Sequence, residues 1–213
     1  MSKRGDVIEN PVTGEHMIVR VGTEETNGQL LVVDGYFRPG AAVAGEHVHP
    51  AIDERFTVVR GRVGFRLDGR ESIAEPGQHV QVPPGVAHDW WNAGDTEAYV
   101  QVEIRPGARF EEMARNLFGL AQDGKTNAKG MPSFLQLVAL AKEFEDVLSF
   151  THPPRIVQRV LFGGLAPVAR LLGYRGSDPK YLQRRLATVP VEPWPGPMQQ
   201  ADVAFLQHTE QPA

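Results

Sequence analysis

The chain has 213 residues, 41% of them hydrophobic and 23% charged, with a formal net charge of −4. That length holds one domain with a full core, or a smaller domain with an appendage, and the acidic balance argues against nucleic acid as a partner, because phosphate binding needs concentrated basic surface. Cysteine is absent, which removes disulfides, thiolate metal ligands and cysteine nucleophiles.

Residues 1–6 contain Lys3 and Arg4 but lead into no apolar run, so no secretory signal is read there. No stretch of about 18 apolar residues follows either, so no transmembrane segment is expected. The expectation is a soluble, cytoplasmic protein. Short β-branched runs at residues 17–21, 30–33, 58–59, 63–67, 80–82 and 99–104 predict strands. Turn signals separate them at Asn27-Gly28, Asp34-Gly35, Pro39-Gly40, Asp68-Gly69, Pro76-Gly77, Pro84-Gly85 and Gly94-Asp95. Asp68-Gly69, between Phe65-Arg66-Leu67 and Glu71-Ser72-Ile73, predicts a tight hairpin. Many short strands at this spacing mean a sandwich or barrel.

After Pro106-Gly107 the apolar period becomes helical. Phe110, Met113, Ala114, Leu117, Phe118 and Leu120 predict one helix. Leu135, Val138, Leu140, Ala141, Phe144, Val147 and Leu148 predict a second over residues 132–150, with Pro132 in its first turn. A third is expected from near Pro154, kinked or loosened by Gly163, Gly164 and Pro167. Ser177-Asp178-Pro179 caps a short last helix. The apolar residues 160–172 raise the question of a membrane surface, but two glycines, a proline and Arg170 interrupt them, which favours packing inside the protein. No compact basic recognition helix for DNA is found. Pro190, Pro193, Pro195, Pro197 and Pro212 predict an extended arm or loose tail. The chain thus divides into a β-barrel at 1–107, a helical extension at 108–188 that packs on the barrel or on a dimer partner, and a proline-rich tail at 189–213.

Two segments concentrate the histidines. His47 and His49 stand two apart, so on a strand their side chains leave the same face. Glu54 follows a turn begun by Pro50, at the head of the next strand, and His88 follows the Pro83-Pro84-Gly85 corner. Imidazoles with a carboxylate are borderline ligands that suit iron, manganese, nickel, cobalt, copper or zinc. Four of them around an octahedral ion leave two positions for substrate, water or dioxygen, whereas a tetrahedral zinc would be closed and structural. Asp53 competes with Glu54, since neighbouring strand residues face opposite ways.

The two segments resemble the paired motifs of the cupin superfamily. The second matches at Gly77, Pro83, Gly85, His88 and Asn92, and the first from His47 through His49 and Glu54 to Gly61, with Gly40 one residue further from His47 than usual. The resemblance covers residues 35–107. It implies a mainly β fold, a cupin-type antiparallel β-barrel (double-stranded β-helix or jelly roll) followed here by a C-terminal α-helical extension. It also implies one divalent transition metal ion (Fe, Mn, Ni or Zn) on His47, His49, Glu54 and His88, the family spacing favouring Glu54 over Asp53. A homodimer paired through the sheets is implied as well. His16, His152 and His208 read as surface or hydrogen-bonded residues rather than ligands, as does His79, although by phase either it or Val80 and Val82 face the interior.

Strand parity sketches the pocket. If Glu54 points inward, Phe56 and Val58 do too; if His88 does, so does Trp90, while Asp89 and Trp91 face away. Val63, Phe65 and Leu67 form another inner row. Phe56, Val58, Phe65 and Trp90 are therefore the candidate substrate-pocket residues. For residues 99–104 either the polar series Tyr99, Gln101, Glu103 or the apolar series Val100, Val102, Ile104 faces the interior. The expected function is binding of a small organic molecule by a metal-dependent protein, foremost an oxygenase of dioxygenase type. The alternatives are a metal-dependent isomerase, epimerase or decarboxylase, or a non-catalytic ligand-binding module.

Overall fold

A computed structural model describes residues 1–43 and 45–193; the last part of the proline-rich tail, with His208, lies outside the described residues. Ten strands come first: β1 (Val7–Asn10), β2 (Glu15–Val21), β3 (Leu31–Phe37), β4 (His47–Val48), β5 (Asp53–Arg60), β6 (Val63–Leu67), β7 (Arg70–Ala74), β8 (His79–Val82), β9 (Ala87–Asn92) and β10 (Ala98–Arg105). Then follow α1 (Ala108–Gln122), α2 (Phe134–Glu143), β11 (Ser149–Phe150), α3 (Arg155–Leu171) and α4 (Pro179–Gln183). The strands form two antiparallel sheets, ordered β1-β2-β3-β10-β5-β8 and β11-β4-β9-β6-β7.

Side-chain alternation decides what lies between the sheets. Along β5, Glu54, Phe56 and Val58 are buried while Asp53, Arg55 and Thr57 are half-buried. Along β9 the buried set is His88, Trp90 and Asn92. Phe56 and Phe65 meet edge to face with ring centroids 5.1 Å apart, and Trp90 lies against Phe37 at 4.4 Å, so the two inner faces interlock through aromatic rings. On β10 the apolar series faces the core, with Val100 and Ile104 essentially inaccessible. Its polar series lies on the outer face, where the Tyr99 hydroxyl donates to Asp34 and Arg20 grips the same carboxylate through two nitrogens, at 3.0 and 2.6 Å. The hairpin at Asp68 and Gly69 pairs Leu67 with Arg70. Both turn residues have positive φ, 45° and 77°, the left-handed geometry that a two-residue turn between twisted strands requires.

The helices do not stand apart from the barrel. Phe118 and Leu120 of α1 belong to the same apolar cluster as Ile8, Val33 and Phe65. A buried polar knot fastens the helix: Glu111 accepts from the Ser2 hydroxyl at 2.6 Å, from Arg115 Nε at 2.7 Å and from the Thr23 hydroxyl. Tyr181 of α4 is buried and passes so close to Gly119 that a side chain there would collide with its ring. Asp178 caps α4 by accepting from the Lys180 backbone N–H at 3.0 Å. Between α2 and α3, Val138, Ala139, Ala166 and Ala169 form a second, smaller cluster.

Two expectations for the helices, on the length of the second and the burial of the third, are corrected. The second helix is shorter than 132–150: Pro132 precedes its cap, Ser133, and the helix ends at Glu143 with Phe144 as its C-cap. Phe144 and Val147 are nevertheless buried, because apolar spacing records which side chains are covered and not the backbone that carries them. Ser149 and Phe150 instead pair with the edge of β4, satisfying backbone groups that an open edge would leave bare. The third helix runs as one element through Gly163, Gly164 and Pro167; Pro167 and Gly163, four residues before it, are both exposed, so a carbonyl without a helical donor there meets water. Finally, residues 160–172 are not packed away. Ala166 and Ala169 are, with Phe162 and Leu165 half-buried beside them, but Val160, Val168, Leu171 and Leu172, on the opposite side of the helix, remain 72%, 45%, 88% and 64% exposed.

Candidate metal centre

Two paired strands bring the histidines together. His47 opens β4, His49 follows it, and β4 pairs with β9 so that His47 lies opposite His88. The three rings sit with centroids 4.9, 4.3 and 5.3 Å apart. One ligand atom from each lies within 4.8 Å of the other two. Glu54 reaches the cluster from β5, its Oε2 3.1 Å from His88 Nε2 and 3.6 Å from His49 Nε2. Asp53 points the other way and accepts from Gln81 Nε2 at 2.8 Å.

The backbone fixes which nitrogen of each ring is available. His47 Nδ1 meets the carbonyl of Gly45 at 3.0 Å, His49 Nδ1 that of Val147 at 2.7 Å, and His88 Nδ1 that of Val86 at 3.1 Å. A carbonyl can only accept, so every Nδ1 carries the hydrogen and donates, and on His47 and His49 the Nε2 lone pair is left facing the centre. His49 Nε2 is buried without any hydrogen-bond partner. An orphaned nitrogen of this kind costs about 1–3 kcal/mol unless a proton or a cation takes its lone pair.

Burial, with His88 and His49 alongside, drives the His47 imidazole down to about 3, so it is neutral at ordinary pH, the form that ligates. Burial works against a charged Glu54, but His49 and the hydrogen bond from His88 outweigh it and hold the carboxyl below its usual range. Burial likewise opposes a charged His88, which the hydrogen bond and charge of Glu54 raise instead. Without an ion, Glu54 and His88 share a proton. Three imidazoles tied through Nδ1 to carbonyls, with a carboxylate beside them, are a donor set that fits a divalent transition ion.

The cluster opens on a cavity of about 190 Å³ whose lining includes His47, His49 and Glu54. Phe56 and Trp90 line it, as do Val102 and Ile104. Of the other two candidate pocket residues, Val58 and Phe65 are core side chains, 1% and 0% exposed, and they are not among the lining residues. His79, on the outer face of β8, pairs with the Thr57 hydroxyl at 2.9 Å. His16 pairs with Glu9 at 3.1 Å and His152 is exposed. The helical half contributes much of the wall, through Phe110 and Met113 of α1, Leu140 of α2, Phe144 and Leu148. Phe110 stacks edge-on to the ring of His49, 5.7 Å away. Sequence reasoning missed three further contributors. Glu15 lines the cavity and burial pushes its carboxyl up to about 7. Arg155 and Arg159 line it while exposed; their four-residue spacing in a stretch without acidic residues was the available signal.

Residues 35–110 match the family model described as the Cupin domain. These residues are a cupin domain. The cupin segment is 35% identical over 69 residues to polyketide synthase CurC of Streptomyces cyaneus, covering 32% of this chain and 44% of that protein. The match therefore spans less than half of the curated relative. Among solved structures, KdgF from Halomonas sp. is 20% identical with a TM-score of 0.42, over 50% of this chain and 94% of that one. A predicted oxalate decarboxylase from Thermotoga maritima is 21% identical with a TM-score of 0.43, over 49% and 98%. Most of the helical half lies beyond the cupin match.

Proposed function

We propose that the chain is a metal-dependent protein acting on a small, largely apolar organic molecule, foremost as an oxygenase of dioxygenase type. One observation carries this reading: three imidazoles, each oriented through Nδ1 by a backbone carbonyl, face a cavity walled by aromatic and aliphatic side chains. His47, His49 and His88 would hold the ion with Glu54 as fourth ligand. An iron, manganese, nickel or zinc ion there would supply redox or Lewis-acid chemistry. The protein's own residues do the rest. The proton that Glu54 Oε2 and His88 Nε2 share without an ion would leave when the ion binds. Phe56, Trp90 and Phe110 exclude water and fix the substrate against the centre, which strengthens every electrostatic interaction within it. A barrel at 1–107 with the helical extension as its wall, paired as a homodimer through the sheets and working in the cytoplasm, completes the reading.

A second reading, a metal-dependent isomerase, epimerase or decarboxylase, is favoured by Glu15, whose carboxyl at about 7 suits proton transfer near neutral pH. A non-catalytic ligand-binding module would use the same cavity without turnover. Metal analysis of the purified chain, then dioxygen-uptake screening of the iron form against apolar acids and phenols, separates these. Uptake with substrate loss supports the oxygenase. Turnover without uptake, abolished in Glu15→Gln, replaces it with proton-transfer chemistry. Equal metal content in wild type, His49→Ala and His88→Ala overturns the centre itself.

A further inference from the structure

The outward side of α3 is apolar where a surface helix should be polar. Ile156, Val160 and Leu171 are 68%, 72% and 88% exposed, and Val157, Val168 and Leu172 lie on the same side, all within about 160° of arc at 100° per residue. Residues 147–177 contain four arginines, Arg155, Arg159, Arg170 and Arg175, and no aspartate or glutamate, in a chain whose net charge is negative. All four are exposed, and among the described residues none forms an ion pair. The acids that flank this stretch are otherwise engaged: Glu143 and Asp146 with Arg109, Glu145 with Lys142, and Asp178 with the Lys180 backbone N–H. Among the described residues no helix is long and apolar enough to cross a membrane.

We propose that α3 docks the protein on an anionic lipid bilayer, its apolar side seated among the acyl chains and its arginines among the headgroups. An exposed apolar face flanked by unpaired cations is the pattern of a helix lying in the membrane interface. Charge decides between this occupant and a second copy of the chain. Two copies pairing through α3 would gather eight arginines at one seam with no acid on either helix to meet them, whereas an anionic surface neutralises them. Each arginine close to such a surface raises the bound fraction about fivefold. The position has a use: Arg155, Arg159 and Phe162 of the same helix also line the cavity, so a docked α3 sets the cavity's mouth at the lipid boundary, where an apolar ligand is concentrated. This inference goes beyond the metal-centre reading and does not depend on it.

The test is co-sedimentation of the full chain with vesicles of phosphatidylcholine alone and of phosphatidylcholine with phosphatidylserine, at low and high salt, beside light scattering of the free protein. Binding to the serine-containing vesicles, at least tenfold stronger than to phosphatidylcholine and weakened by salt, is expected. The triple variant V160S/V168S/L171S and the double variant R170Q/R175Q should each lose about tenfold or more while keeping the wild-type melting temperature. His49→Ala should bind vesicles as wild type does, so that failure of the metal centre and failure of the docking face are read separately. No binding to anionic vesicles overturns the proposal. A wild-type dimer that the triple serine variant dissociates, with vesicle binding unchanged by that variant, overturns it in favour of a second copy.

Discussion

Glu15 offers a quantitative test of how deep the cavity's carboxylates lie. It is 8% exposed, accepts from the Thr13 hydroxyl at 2.6 Å, and among the described residues has no cation in ion-pair range. Burial raises its pKa from 4.5 to about 7, the Thr13 bond only partly offsetting it. Over that interval the ionised carboxylate costs about 3 kcal/mol more in the folded protein than in the unfolded chain. The sign follows from proton counts. Between pH 4.5 and 7 the folded state holds a proton that the unfolded state has released, so stability falls as pH rises through this window and the full penalty stands above it. Glu15→Gln keeps the shape and cannot ionise. Urea denaturation of both proteins at pH 5 and pH 8 should give nearly equal stabilities at the lower pH. At the higher, the variant should be more stable by about 3 kcal/mol, or by somewhat less if water enters the cavity. Parallel curves across the range, or a variant that is less stable at pH 8, would refute the assignment of an uncompensated buried carboxyl.

Glu54→Gln should leave the barrel folded but weaken ion retention about 10- to 100-fold or more, because it replaces the anionic fourth ligand, which also orders His88, with a neutral amide; competition with a chromogenic chelator measures this. Gly64→Val should destabilise by about 1–3 kcal/mol, since a side chain at Gly64 runs into the Trp91 ring, and thermal unfolding reads the loss. A fragment ending at Gly107 should aggregate or melt early, because it surrenders Phe118 and Leu120 from the common core. A soluble fragment with a cooperative transition would show that the barrel does not need its helices.

The sequence spoke clearly wherever a period of two meets one buried face. Once the family spacing turned Glu54 and His88 inward, parity placed Phe56 and Val58 with the first and Trp90, against Asp89 and Trp91, with the second. The Asp68-Gly69 hairpin followed from its turn chemistry. Parity does not say how far down a barrel a residue sits, so it could not distinguish Phe56, at the cavity, from Val58 and Phe65 in the packed core. For β10 it left two faces open, because Tyr99 and Glu103 find partners on the outer surface. The carbonyl of Val147, which orients His49, is 98 residues away in the chain and carries no side-chain signature. The ending of α2 was hidden for a similar reason: Phe144 and Val147 keep the apolar spacing of a helix although the chain has turned toward β4.

That carbonyl has a consequence in time as well as in space. A chain is made from its N-terminus, so all four acidic and imidazole groups of the centre have emerged once residue 88 is out. The group that turns the His49 ring, and the short strand that closes the edge of β4, emerge about sixty residues later. Until then the His49 ring lacks the carbonyl that orients it. Ion capture in the final geometry would therefore have to follow the docking of residues 147–150 against the barrel.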